Sequence, residues 1–533
     1  MNRKPLVALI ITMFVAMSLL GGCSQSASTE NPAAKAAEKV ITISSSDDIG
    51  TLNPHKYNSE MFAQYFVYEN LLTYGENGKL EPCLAESWDI SQDGKAYTFH
   101  LRKGVKFSDG SDLTADVVKK NYDAFLKAKD DHSWLELINE IDKTEVVDAN
   151  TFKMYLKNAY YPTLQELTLV RPMCLLGAAG FPADGDTAKK IKSPIGTGPR
   201  VLSEHKKGEY AVFTRNENYW GTKPKLSKLI VKVIPDGETA AAALEKGEID
   251  MIYGSGVLSI DTFKELKKND KLETMLSEPM TTRNIGVNSN KGATKDLAVR
   301  MALQYGVDKQ SIVDNILYGT EKKADTLFAE SFPYCKLGLE ARGYDPTKAA
   351  KYLEDAGWKM PSGKEYREKG GKALQLDLCF VADDSITKSI SEDLQAEYKK
   401  IGIKINLVGE EKTSFYDRQK TGNFDLIFGE SWGAPYDPHS YVASFREPSH
   451  FDYQAQSGLP MKKTIDENIG KVLISTDVTT RQKLYDDILR TLHEQAVYIP
   501  ISYSTNVAVF NKKVTGVNFT VASEIPLINV DVK

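Results

Sequence analysis

The sequence predicts an α/β protein built as two lobes. The expectation rests on two strand–helix–strand units about 140 residues apart, with several helices between them. In the first unit Leu229, Val231 and Val233 alternate as in a strand and Pro235-Asp236 turns the chain. The Ala-rich stretch 238–246 then reads as a helix stopped by Gly247, and 249–253 as a second strand. In the second unit Leu374, Leu376, Leu378 and Phe380 alternate. Ile386, Ile390, Leu394 and Tyr398 recur every fourth residue along one helix face, Gly402 ends the helix, and Ile403, Ile405 and Leu407 open another strand. Units of this kind build mostly parallel sheets, and their separation points to two sheets rather than one.

The remaining elements follow in chain order. Arg3 and Lys4 precede a nearly unbroken apolar run, 6–20, that ends in Leu20-Gly21-Gly22-Cys23. A basic start, an apolar centre and small residues before the cut describe a secretory signal. About 15 apolar residues is short of the roughly 20 that span a bilayer, which disfavours an uncleaved anchor. The cysteine after two glycines resembles the lipobox of bacterial lipoproteins, which implies a leader over 1–22 and lipidation of Cys23. Residues 23–39 are rich in Ser, Ala, Lys and Glu and read as a flexible tether. A strand starts at Val40. Asp308 is expected to cap a helix with Ile312, Val313, Ile316 and Leu317 inward, stopped by Gly319. Asp345-Pro346 opens another helix that Gly357 closes.

Without 1–22 about 510 residues remain, enough for two or three domains. Loss of Arg3 and Lys4 takes the formal charge from −5 to about −7, and no basic stripe occurs, which argues against a nucleic-acid partner. Cys83, Cys174, Cys335 and Cys379 are far apart with no CxxC spacing. That argues against a disulfide scaffold and a zinc or iron–sulfur site, leaving isolated disulfides open, with Cys379 read as core.

The seven histidines form no HExxH, and no GxSxG elbow, P-loop or dinucleotide fingerprint occurs, so the chain is not expected to be an enzyme. Gly196-Thr197-Gly198-Pro199 reads as a tight turn. The densest signal is Ser431-Trp432-Gly433-Ala434-Pro435-Tyr436-Asp437-Pro438-His439, followed by Ser444 to His450. Its prolines, glycine, aromatics and histidines predict an irregular, shaped loop of the kind that carries a binding surface. Trp432 and Tyr436 suit the walls of a pocket, and His450 suits a metal, while Asp437 and His439 are expected to fix the loop by local hydrogen bonds.

On these residues the chain resembles the solute-binding proteins of bacterial ABC importers for peptides and nickel. The family-wide matches are Glu69-Asn70-Leu71-Leu72, Leu84-Ala85-Glu86-Ser87-Trp88, the stretch 101–110, Gly196 to Pro199 and Arg215 to Trp220. The nickel-binding branch is suggested by Trp134 to Leu137, Tyr160-Tyr161-Pro162, Arg171-Pro172, the Trp432 to His439 loop, Pro448-Ser449-His450, Gln454 to Gln456 and Ile499 to Tyr503.

The resemblance implies a two-lobed periplasmic-binding-protein fold with a hinge and an inter-lobe ligand cleft. The implied bounds are 40–280 for the first lobe, 281–503 for the second and 504–533 for a segment returning to the first. It implies a monomeric lipoprotein outside the cytoplasm that hands its cargo to ABC permease subunits. It implies no cofactor, with nickel as the transported ligand, carried with histidine or another metallophore. His450 matches the direct metal ligand and Arg171 the clamp on the chelator's carboxylate. Tyr57, Met61, Trp134, Trp432 and Tyr436 match wall residues, and Ser523 a small hydroxyl residue. Read without the resemblance, Trp134 also fits a packed helix position, Arg171 a partner for an internal carboxylate, and Tyr57 and Met61 core. One position departs from the branch pattern: an Arg three residues before Trp134 is here Asp131, an acid that repels an anionic chelator or accepts an amine. An oligopeptide, or another metal–metallophore complex, is the alternative cargo.

Overall fold

Strand Val40–Ser45 lies at the centre of a seven-stranded sheet, between Lys228–Val233 and Met251–Gly254, and is parallel to both. Beyond Lys228–Val233 come Tyr210–Arg215 and Arg200–Lys206. Beyond Met251–Gly254 come Val507–Asn511 and Leu272–Leu276, and all these outer pairings are antiparallel. Ile41, Ile43, Leu229, Val231 and Met251 are fully buried in the central strands. The computed structural model describes residues 38–56, 61–75, 78–132, 134–254, 256–432, 436–521, 525 and 527–533. The leader 1–22, Cys23 and most of the tether, Tyr57, Ser523 and the loop residues Gly433 to Pro435 lie outside the described residues, as does the Met61 side chain.

The predicted crossover is helix Gly237–Lys246. Asp236 caps it by accepting from the Thr239 amide, and Gly247 ends it at φ +76°. Its two flanking strands are not neighbours, because Val40–Ser45 occupies the slot between them. The second unit is a direct one. Strand Gln375–Val381 pairs in parallel with Lys404–Glu410, and helix Ser385–Lys400 crosses between them with Ile390, Leu394 and Tyr398 buried. This sheet has six strands, ordered Lys322–Lys323, Tyr498–Ser504, Thr281–Val287, Leu426–Glu430, Gln375–Val381 and Lys404–Glu410. Both sheets are therefore mixed, not mostly parallel. Each keeps parallel pairing only around its crossover and closes with antiparallel strands brought in from far along the chain.

The two sheets define the two lobes, and the chain passes between them next to Ser277 and Asn506. The Ser277 amide donates to the Asn506 carbonyl at 2.9 Å, and the Asn506 amide donates to Ser277 Oγ at 2.9 Å. A four-stranded antiparallel sheet, Ala85–Ile90, Ala96–Leu101, Thr151–Leu156 and Ile141–Asp148, is inserted in the first lobe with helix Ala115–Lys127 on one face. The sequence reading did not foresee this insert. Its apolar residues join one core with the second lobe, where Leu156 and Tyr161 share a cluster with Leu473 and Tyr485.

Two local expectations are revised, and one left open is settled. After Asp308 a short helix, Lys309–Ser311, widens into the π-turn Ile312–Ile316 before Gly319. The segment read as an irregular loop contains helix His439–Ser444, entered from Pro438, and helix Phe451–Gln456, which begins after His450. Proline is accepted at a helix start because its missing amide would be unpaired there anyway. Cys83, Cys174, Cys335 and Cys379 are free thiols, and Cys379 is core as expected.

Candidate functional site

Two cavities collect the sequence-selected residues. The first, of about 1030 Å³, is walled by helix Met61–Val67 through Phe62, Tyr65 and Phe66, by Arg171, and by the returning segment through Thr520 and Leu527. Arg171 sits in the short turn Val170–Met173 at φ −124°, ψ 122°. Proline at position 172 forces this extended backbone, because its ring clashes with a helical residue before it. The recessed carboxyl of Glu69 also faces this cavity. It accepts from Trp220 Nε1 at 2.8 Å and Tyr219 Oη at 3.1 Å, and burial pushes it up to about 7.

The turn beside Arg171 is fixed by two buried histidines. His132 Nε2 donates to the His55 carbonyl at 3.0 Å. His55 in turn bridges Thr187 Oγ1 at 2.9 Å and Asn121 Oδ1 at 3.0 Å. Burial lowers both, His55 to about 4, so each is a neutral hydrogen-bonding group at neutral pH. They anchor the turn Lys129–His132, which carries exposed Asp131 and leads to Trp134. Trp134 lies between that turn and helix Glu136–Glu140, with 49% of its surface exposed.

The second cavity, of about 750 Å³, is walled by Trp432, His450, Phe428, Tyr416, Phe451 and Arg283. Trp432 is 38% exposed, and its Nε1 donates to Ser440 Oγ at 2.7 Å. Its ring meets Tyr441 at 4.8 Å and His450 at 5.8 Å, both edge-on. Burial holds His450 below its ordinary value, so the imidazole is neutral at neutral pH. Behind this pair Asp452 is fully buried and accepts from Tyr441 Oη at 2.7 Å and Tyr498 Oη at 2.9 Å; burial pushes it up to about 7.

The fold thus brings Trp432 and His450 together and holds Arg171 on a separate cavity, with no lining residue shared by the two. Tyr436 is packed rather than open. Its ring meets Phe332 at 4.7 Å and Tyr74 at 6.0 Å, and its hydroxyl donates to the Ser331 carbonyl at 2.7 Å. Tyr441, Asp452 and Glu166 escaped the sequence reading. The available signal was an acid set among apolar residues, as in Leu164-Gln165-Glu166-Leu167. Among the described residues no group of three or more His, Cys, Asp or Glu is placed to hold a metal ion, and no helix is long and apolar enough to cross a membrane.

Known proteins resemble the chain over nearly its whole length. The nickel-binding periplasmic protein of Escherichia coli K12 is 47% identical over 494 residues, covering 92% of this chain and 94% of that protein. The crystal structure of NikA from Brucella suis in complex with Fe(III)-EDTA superposes with a TM-score of 0.88 at 49% identity, covering 93% of this chain and all of that one. NikZ from Campylobacter jejuni, solved in complex with Ni(L-His), superposes at 0.72 with 27% identity over 92% of this chain and 99% of that one. Residues 79–453 match the family described as bacterial extracellular solute-binding proteins, family 5 (middle), and the chain belongs to that family.

Proposed function

We propose that the chain is the receptor of an ABC importer and that its cargo is nickel, carried as a small anionic chelate. The observation that carries this reading is the near-full-length 47% identity with the nickel-binding protein of E. coli. The metal chelates in the NikA and NikZ complexes support it.

In this reading Arg171 receives a chelator carboxylate, which its planar fork meets at two points. His450 gives one imidazole nitrogen to the metal, in the neutral form that ligation requires. One imidazole leaves most nickel positions open, so the chelator fills them. Trp134 and Trp432, with Tyr57, Met61 and Ser523, are assigned to the walls, and Tyr436, packed on Phe332 and Tyr74, is not. The first lobe runs over 40–280, the second over 281–503, and 504–533 returns to the first. Rotation about the crossings near Ser277 and Asn506 brings the two cavities onto one ligand. The protein is a monomeric carrier without enzymatic activity, tethered by 23–39 to a lipid on Cys23 after loss of 1–22.

Native mass spectrometry with nickel, with and without histidine, tests the reading. One nickel per chain is expected only with the chelator. His450→Ala and Arg171→Ala should each weaken binding about ten- to a hundredfold, the worth of one bond to a charged group. Equal uptake in both variants removes the site, and bound peptides in place of metal favour the oligopeptide cargo.

A further inference from the structure

The candidate walls leave one cluster of deeply buried ionisable side chains without a role. Glu166, Asp437 and His439 are each 3% exposed or less. His439 Nε2 lies 3.2 Å from Glu166 Oε1, and its Nδ1 lies 2.9 Å from Asp437 Oδ1. Asp437 Oδ1 also accepts from the His439 amide at 2.9 Å and from Tyr161 Oη at 2.8 Å, and Tyr161 Oη meets Tyr485 Oη. Glu166 accepts from Tyr160 Oη at 2.5 Å and from the Leu137 amide at 2.9 Å. The Tyr161 amide donates to the Leu473 carbonyl at 2.9 Å.

These bonds join two parts of the molecule. Tyr160, Tyr161 and Glu166 follow the last strand of the insert, in the first lobe. Asp437, His439, Leu473 and Tyr485 belong to the second, on the segment and helices that follow Trp432. We infer that Glu166, Asp437 and His439 form an ionic clamp that positions the Tyr436–His439 segment against the insert, so that movement of the second lobe away from the insert and release of ligand are coupled through these three side chains. They are positioning residues, and the clamp itself is independent of the cargo. Only its effect on ligand release rests on the reading proposed above.

Separating the parts uncovers charged groups that are buried only as a set, which makes the contact close to all-or-none. Burial alone pulls His439 down, but the Asp437 and Glu166 carboxylates outweigh it and raise the imidazole to about 9. The group is a cation at neutral pH. The other titratable groups around it are Tyr160, Tyr161 and Glu136 from the insert side, Tyr74, Tyr485 and Cys335, and Arg481, whose guanidinium lies 4.6 Å over the Tyr161 ring.

Hydrogen exchange on the full chain at pH 7, without ligand, tests the clamp. His439→Gln keeps a polar side chain and removes the charge. Amides in 160–167 and 436–445 are expected to exchange at least about tenfold faster, while those of the strands Val40–Ser45 and Gln375–Val381 keep the wild-type rate. Wild-type exchange in 160–167 and 436–445 overturns the clamp. Should His439→Gln loosen both strands as well, Tyr161→Phe, which removes only the hydroxyl on Asp437, decides by the same two outcomes. Nickel with histidine is the probe for coupling. His439→Gln should release it several-fold faster, and equal release rates in variant and wild type overturn the coupling. His450→Ala should weaken binding about ten- to a hundredfold with exchange unchanged. A wild-type protein that ignores the probe sinks the proposed cargo and the coupling to release, and leaves the exchange result to judge the clamp.

Discussion

At His439 two forces of opposite sign meet, and the larger one sets the charge. Burial favours the neutral ring, and the two carboxylates favour the cation and win. Because the folded value, about 9, stands above the ordinary 6.5, the protonated ring stabilises the fold fully below pH 6.5 and loses that effect as pH rises through 9. A shift of this size corresponds to about 3 kcal/mol. Urea unfolding of wild type and His439→Gln should therefore show a gap at pH 6 that narrows at pH 8 and closes above pH 9. His439→Ala at pH 7 should cost about 3–5 kcal/mol, since it leaves two buried carboxylates without their cation. Half of this arrangement was legible in the sequence. Asp437 stands two residues before His439, and short acidic side chains bond backbone two residues on. Glu166 stands 273 residues away from its partner, and no local pattern marks such a pairing. Arg171 was likewise not readable from chemistry alone and came from the family resemblance, whereas His450 was already marked by its imidazole in the shaped loop.

Individual elements were the most legible level, because their signals lie within a few residues of their effect. Asp308 and Asp345 each accept from a backbone amide three residues on, as the sequence led us to expect of helix starts. Gly247 ends its helix at φ +76°, and an added Cβ there would meet nothing within 4 Å. Gly247→Ala should cost only backbone strain, about 1 kcal/mol by chemical denaturation. Gly196 is a different case. A Cβ on it would lie 1.9 Å from the Val67 carbonyl oxygen. The cluster read as a tight turn is also a close approach to the end of helix Met61–Val67, which walls the first cavity. Gly196→Ala must push that helix end aside, so it should cost more than Gly247→Ala, about 1–3 kcal/mol, and should perturb Tyr65 and Phe66. The opposite order of the two losses would mean that the Val67 contact yields easily. Neighbour order was not legible. Which strand fills the slot between Lys228–Val233 and Met251–Gly254 is decided by long-range pairing, and the answer, Val40–Ser45, is written nearly 200 residues earlier.

In the whole molecule the chain leaves the first lobe near Ser277 and returns near Asn506, so Val507–Asn511 is paired on both sides by strands made much earlier. A chain ending at residue 506 leaves Met251–Gly254 and Leu272–Leu276 with bare edges. It should aggregate, while the six-stranded sheet, which ends at Ser504, keeps all its strands. A truncated chain that stays soluble, with native exchange in Val40–Ser45, would contradict this. The same feature has a consequence for biogenesis. About 230 residues separate Leu276 from Val507, so at ordinary ribosomal speed the gap stays open for about 10–50 s. Until the final stretch has emerged, this half of the polypeptide cannot seal itself. A nascent chain that delays its own closure remains threadable, which is the state in which an exported protein has to meet the translocation pore.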